Sequence, residues 1–201
     1  MPQTIFSRDH WPLAQALAAV VYCNPFEEGR WELERKCLGK EYQERERYVG
    51  PGEAEELLAP NLKKLIAMAL SLMEPARAKL AKMKEVSEAE RATYENLVHF
   101  VVYHEFMEKY DKLIESSLAG KPQPGGVSFY YEYRDRQRYF LSVNAATRFS
   151  PEQEGLYFAL YFQLRRAWLN IYRYLVGGSE AISALRARIW NSCFTHDMRR
   201  Y

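Results

Sequence analysis

The sequence has little cysteine and little net charge. Its 201 residues include three cysteines and carry a formal charge of +2. Cys23, Cys37 and Cys193 form no CxxC pair and are odd in number, so they do not suggest a disulfide framework, and we expect a reduced, cytoplasmic protein. A net charge this small provides no general attraction to nucleic acid or to a membrane surface.

The sequence also lacks a membrane-spanning segment and a phosphate-binding loop. No run approaches about eighteen uninterrupted apolar residues, because Arg165 and Arg166 interrupt the most apolar stretch. We therefore expect no membrane partner. The pairs Gly39-Lys40 and Gly120-Lys121 have neither the spacing nor the hydroxyl of GxxxxGK[ST]. We expect these residues to provide no catalytic group, no cofactor site and no ATP hydrolysis.

Periodic apolar residues predict a mainly α fold, a multi-helix bundle. The hydrophobic share of 48% and the aromatic share of 14% are sufficient for a substantial core. The pattern predicts a first helix from Asp9, its N-cap, to about residue 22, and a second helix that ends near Gly39. A third is predicted over 57–84, divided by Pro60 and Pro75.

Two capping boxes predict the two longest helices. Ser87 and Glu90 begin a long central helix that is expected to continue to Gly120. Ser150 and Gln153, with a proline between them, begin a C-terminal linker helix over 151–176. Residues 121–126 are a predicted loop. Residues 127–143 fit a helix or a short hairpin, and the helix is favoured because no Asn-Gly turn lies in the middle.

Apolar residues cover most of the circumference of the linker helix. Such a helix is either central to its own domain or shared with a second subunit. The residues that we expect to carry signalling or dimerisation are Leu160, Leu164, Trp168, Ile171 and Leu175.

Histidines and carboxylates in the middle of the chain are candidate metal ligands. Glu95 and His99 are four residues apart, as are His104 and Glu108. The two pairs are offset by nine residues, about 180° around one helix, so they should point in opposite directions. We therefore favour a polar helix surface over a metal site. The candidate ligands of such a metal site would be His99, His104, Glu105 and Glu108.

Arginines interleaved with aromatic residues offer a second candidate surface. They could clamp a single-stranded nucleic acid by stacking and charge, but nearby acidic residues dilute the positive potential. A solvated or interface face is favoured. The residues are Arg134, Arg136, Arg138, Arg165, Arg166 and Arg173.

The C-terminal residues carry a family resemblance. The stretches are YFQLRRAWLNIYRYLVGGS at 161–179, VGGSEAISALRARIW at 176–190 and FTHDMRRY at 194–201. They resemble the linker helix and the start of the AAA+ ATPase domain in a subgroup of bacterial sigma-54-dependent transcriptional activators. In that family a Gly-x-Ser motif begins a helix, and the Walker A loop follows further along the chain.

The resemblance implies a regulatory or sensor domain over residues 1–176 and the beginning of an AAA+ domain over 177–201. Gly177, Gly178 and Ser179 would form the hinge, and the chain would continue past Tyr201 to a motor that uses ATP and Mg. The chain would form a homodimer or higher oligomer through the linker helix, and the motor would act on sigma-54 RNA polymerase, with DNA bound by a further domain. An unknown ligand or protein would supply the signal.

Two other interpretations remain open at this point. The chain could be a stand-alone helical enzyme that binds a metal through His99, His104, Glu105 and Glu108. It could also be a helical protein-interaction module without a ligand.

Overall fold

The computed structural model describes residues 4–44, 54–121, 126–144 and 150–194, with side chains in the second range from Pro60 onward. Within these ranges the α-helices are α1 Trp11–Val20, α2 Glu28–Leu38, α3 Ala54–Leu80, α4 Glu88–Glu105, α5 Met107–Leu118, α6 Tyr130–Leu141, α7 Pro151–Tyr174 and α8 Glu180–Cys193. The prediction of a mainly α, multi-helix bundle is confirmed. Most of the predicted loop 121–126 and residues 195–201 lie outside the described residues.

The first two helices begin and end at local signals. α1 carries Pro12 in its first turn, but its N-cap is His10, without a side-chain hydrogen bond. The expected cap at Asp9 is therefore wrong. α2 ends as predicted at Gly39, where φ is +53°, a value that glycine adopts without steric cost.

α3 runs without interruption through both prolines, so the predicted division into separate pieces is wrong. A proline inside a helix costs about 3 kcal/mol, because it removes a hydrogen bond and its ring clashes with the preceding turn. Here the apolar face is buried on both sides of Pro75, with Leu72 and Met73 before it and Ala76 and Leu80 after it. Burial of this face compensates the local cost.

The predicted helix from 87 to 120 is two helices, because the backbone leaves helical geometry at Phe106 (φ −102°, ψ 3°). The Phe106 ring is buried and lies 5.7 Å from the ring of Tyr133, edge to face. α4 packs against α1, α3 and α6, whereas α5 packs against α7. The single long helix is therefore wrong, although its predicted start at Ser87 is correct.

Residues 130–141 form helix α6, which excludes the hairpin alternative. Its buried residues recur at helical spacing: Tyr133, Gln137, Phe140 and Leu141. α7 begins with the predicted capping box, in which Ser150 and Gln153 satisfy each other's backbone amides.

The apolar residues of α7 are used inside the chain. Leu160, Leu164, Trp168 and Ile171 are each at most 9% exposed and pack in two clusters with other helices. α7 is therefore central to its own bundle, one of the two arrangements expected from its apolar circumference, and Leu175 is half-buried beside the second cluster. The pairing of α7 with a second copy stays a prediction. Of the described residues, no helix is long and apolar enough to cross a membrane.

Candidate functional site

A cavity of about 480 Å³ lies between the α1–α2 connection and helices α2, α3, α4, α5, α7 and α8. Most of its wall is apolar or aromatic. The residues that form this part of the wall include Leu62, Ile66, Phe100, Tyr103, Met107, Leu164, Trp168, Trp190 and Phe194. The lining residues come from six helices and one connection, so the space is a product of the tertiary fold.

One ion pair in the wall joins α7 to α5. The guanidinium of Arg165 donates to both carboxylate oxygens of Asp111, at 2.5 and 2.8 Å, and lies 4.4 Å from the ring centroid of Trp168. The Arg165 side chain is only 3% exposed and that of Asp111 is 24% exposed. Burial makes this guanidinium dependent on its carboxylate partner.

A second ion pair lies on α2. Arg30 donates to Glu34 at 2.7 Å and to the carbonyl oxygen of Val20 at 2.9 Å. The rim adds Lys63 and Glu108, both exposed. The cavity wall thus holds three basic and three acidic side chains, and its charge is balanced.

His104 presents a neutral imidazole to the cavity. Its Nδ1 lies 2.7 Å from the carbonyl oxygen of Phe100, one turn earlier on α4. The pKa of His104 is lowered to about 3, mainly by burial and further by the charges of Arg30 and Arg165. The hydrogen bond to Phe100 acts in the opposite direction and raises the pKa. The imidazole is therefore uncharged at neutral pH.

His99 lies deeper, with 4% exposure, and its Nδ1 is 2.6 Å from the hydroxyl of Tyr161. The ring of Tyr157 stacks on the imidazole at 4.2 Å between centroids. Burial lowers the pKa of His99 to about 3. Burial likewise raises the pKa of Tyr103 to about 12, so this phenol is also neutral at physiological pH.

The candidate metal ligands are divided by the structure. His99 and His104 border the cavity from α4 and Glu108 borders it from α5, so members of both predicted pairs line the same space. Glu105 is directed elsewhere and accepts two hydrogen bonds from Arg136, at 2.6 and 2.8 Å. Across the described ranges, no group of three or more His, Cys, Asp or Glu side chains is arranged to hold a metal ion.

The predicted arginine surface is largely neutralised by ion pairs. Arg138 binds both oxygens of Glu154 at 2.6 and 2.9 Å, and Arg134 pairs with Asp135 at 3.1 Å. Arg165 is buried in the cavity wall. These pairs reduce the positive potential that a nucleic acid would need.

The predicted hinge is bridged by side chains of α8. Arg186, only 2% exposed, donates to the carbonyl oxygens of Leu175 and Gly177 at 2.8 and 2.9 Å. Asn24 donates to the carbonyl oxygen of Ala187 at 2.8 Å. Ser179 caps α8 as predicted, by accepting from the amide of Ile182. α8 is therefore anchored both to α7 and to the α1–α2 connection.

The fold and the site define a helical domain with an internal, aromatic, charge-balanced cavity. Comparison with protein-family models, with curated proteins and with solved structures found no match. No short motif in the sequence indicates this cavity, because its residues are distributed from Val21 to Phe194. Two i, i+4 pairs, Arg30 with Glu34 and His104 with Glu108, are local signals for parts of it.

Proposed function

We propose that this chain is a signal-sensing regulatory domain in which a small organic molecule binds in the cavity and changes the docking of α8. The proposal rests on the observation that α7 and α8 both contribute residues to the wall of the cavity. Trp190 of α8 and Phe194, its C-cap, border the same space as Trp168 of α7. A molecule in the cavity therefore contacts α8 directly.

The size and lining of the cavity support this function. Ligand sites for small molecules have volumes of about 300–1,000 Å³ and combine apolar walls with a few polar groups. The cavity here, of about 480 Å³, meets both conditions with its aromatic rings, two ion pairs and His104.

The attachment of α8 provides the element that a ligand would influence. Its contacts with the rest of the chain include hydrogen bonds from Asn24 and Arg186 and the ring contact between Phe26 and Trp190 at 5.9 Å. A ligand changes such an equilibrium only by its differential affinity for the two arrangements. Contact with Trp190 supplies a difference of this kind, because it exists only when α8 is docked.

The output in this proposal is a motor in the same chain, and its sole support is the resemblance of stretches within residues 161–201 to sigma-54-dependent activators. The domain itself would perform no catalysis. It would hold or release a cytoplasmic AAA+ motor that uses ATP and Mg to activate sigma-54-dependent transcription, as a dimer or higher oligomer. The codons that follow Tyr201 in the source gene test this part: a GxxxxGK[ST] loop supports it, and a stop codon contradicts it.

The sensing part is tested by ligand-observed ¹⁹F NMR with a library of fluorinated fragments. Leu62→Trp places a larger side chain in the cavity wall and obstructs the cavity, because Leu62 borders it. Leu70→Trp is the matched control: Leu70 is on the same helix and is also half-buried, but it does not border the cavity. We expect fragments that bind the wild type and the Leu70 variant equally and that lose at least tenfold in affinity for the Leu62 variant.

Two results would favour another function. Hits that bind both tryptophan variants equally would place the binding site elsewhere and contradict the sensing proposal. Stoichiometric metal in the purified protein, lost on substitution of His99 or His104, would favour a metal-binding helical enzyme. If the purified protein binds neither a ligand nor a metal, the protein-interaction module is the remaining interpretation.

A further inference from the structure

We propose that the cavity selects a neutral aromatic molecule that donates a hydrogen bond, from a hydroxyl or an N–H group, to Nε2 of His104. This inference rests on the proposed function, since it assumes that the cavity is a ligand site. It adds the chemical class of the ligand and the residue that recognises it.

The tautomer of His104 follows from its local hydrogen bond. Nδ1 lies 2.7 Å from the carbonyl oxygen of Phe100, which can only accept. Nδ1 therefore carries the proton. In a neutral imidazole the other nitrogen is then an acceptor, so Nε2 presents a lone pair.

The imidazole stays neutral under physiological conditions, because burial and two nearby guanidinium groups disfavour its protonated form. Nε2 consequently does not become a donor near neutral pH. A ligand that offers only acceptors, such as a carboxylate or an ether oxygen, cannot form a hydrogen bond with it.

Nε2 has no hydrogen-bond partner among the described residues, although His104 borders the cavity. Its ring meets the rings of Phe100 and Tyr103 edge to face, at 4.5 and 4.9 Å between centroids. These contacts hold the imidazole in one orientation. An oriented acceptor in an aromatic cavity favours a ligand that supplies the missing donor.

The charges of the wall determine the charge of the ligand. Arg30 and Arg165 are already paired with Glu34 and Asp111. An anion would have to compete with a carboxylate held in the wall, and a cation would have to compete with a guanidinium. A neutral molecule avoids both costs, and the rings of Tyr103, Trp168 and Trp190 favour an aromatic one.

The experiment compares three two-ring probes by isothermal titration calorimetry: 2-naphthol, its methyl ether 2-methoxynaphthalene, and 2-naphthoate. They share an aromatic body and differ in one group, which is a donor, an acceptor or an anion. The variant His104→Phe retains a ring for the contacts with Phe100 and Tyr103 but has no acceptor. Leu62→Trp reports whether each probe occupies the cavity.

We expect the wild type to bind 2-naphthol at least about tenfold more tightly than the ether or the naphthoate, a difference of about 1.4 kcal/mol. In His104→Phe the ratio of naphthol to ether should fall to within about twofold. If this variant does not fold, the ratio measured with the wild type decides the question alone.

The outcomes separate the inference from the proposed function. The selection by Nε2 is overturned if the wild type binds naphthol and the ether with equal affinity. It is also overturned if folded His104→Phe still prefers naphthol. Preferential binding of naphthoate overturns the expected neutrality of the ligand. In each case the probes still bind in the cavity, as shown by their loss in Leu62→Trp. If none of the probes and no library fragment binds there, the proposed function itself fails.

Discussion

Loss of the carboxylate of Asp111 should destabilise the fold through the buried guanidinium of Arg165. The replacement Asp111→Asn removes the negative charge with almost no change in shape. Arg165 is 3% exposed and loses a partner that now accepts two hydrogen bonds. Water cannot easily replace that partner at such low exposure.

The magnitude follows from the burial of the pair. Removal of one partner from a fully buried ion pair costs about 3–5 kcal/mol, whereas an exposed pair contributes about 0–1 kcal/mol. Because Asp111 is 24% exposed, we expect a loss of about 2–3 kcal/mol in the free energy of unfolding. For a domain of this size that corresponds to a decrease in Tm of about 4–12 °C.

Urea denaturation followed by circular dichroism measures this loss. Glu132→Gln is the matched control, since Lys109 and Glu132 are also 2.5 Å apart but 38% and 63% exposed. The control should cost less than about 0.5 kcal/mol. If Asp111→Asn costs no more than the control, the wall of the cavity does not depend on this ion pair and our account of its electrostatics is wrong.

Three further substitutions test other parts of the structure. The pKa of His99 is about 3 in the folded chain and about 6.5 when unfolded, so the unfolded state binds more protons below pH 6.5. The contribution of His99 to stability is therefore complete above pH 6.5 and decreases by about 2 kcal/mol on acidification to pH 5. Urea titrations at pH 7 and pH 5 measure this change. The wild type should lose about 2 kcal/mol more stability between the two pH values than His99→Gln does. Gly177→Ala should cost about 1–2 kcal/mol, because φ is +130° there; Gly178→Ala, where φ is not positive, should cost clearly less in the same titration, and equal costs would refute the strain. Ser150→Ala removes the cap of α7 and should cost about 1 kcal/mol; a thermal melt unchanged from the wild type would contradict the role of the capping box.

The helix starts could be predicted from the sequence because their signals are local. Ser87, Ser150 and Ser179 each accept a hydrogen bond from a backbone amide three residues later. These contacts lie within one turn, so their chemistry is visible in four consecutive residues. The helical form of 127–143 was favoured for a similar reason, the absence of a turn signal in its middle.

The helix interruptions could not be predicted because tertiary packing decides them. Pro75 remains inside α3, where buried residues on both sides outweigh its local cost. Phe106 ends α4 without any helix-breaking residue, because its ring packs against Tyr133 on α6. Tyr133 is distant from Phe106 in sequence, and the helices that cover the buried face of α3 are α1, α2 and α4.

The candidate site was only partly predictable. The spacing of His99 and His104 marked them as candidate ligands, but their environment depends on Tyr161 and on two arginines from distant helices. Leu164 and Trp168, which their apolar spacing marked as signalling or dimer residues, border the cavity. Periodicity shows that a face is apolar, but it does not show what covers that face.

Hydrogen–deuterium exchange of α8, measured with and without a saturating cavity ligand, tests whether α8 responds to occupancy of the cavity. Helix α6 provides the internal reference, since none of its residues borders the cavity. In the wild type we expect the ligand to change amide exchange in α8 and to change exchange in α6 far less. In Leu62→Trp the ligand should have no effect on exchange in α8. A ligand that occupies the cavity and leaves exchange in α8 unchanged would contradict the proposed response of α8.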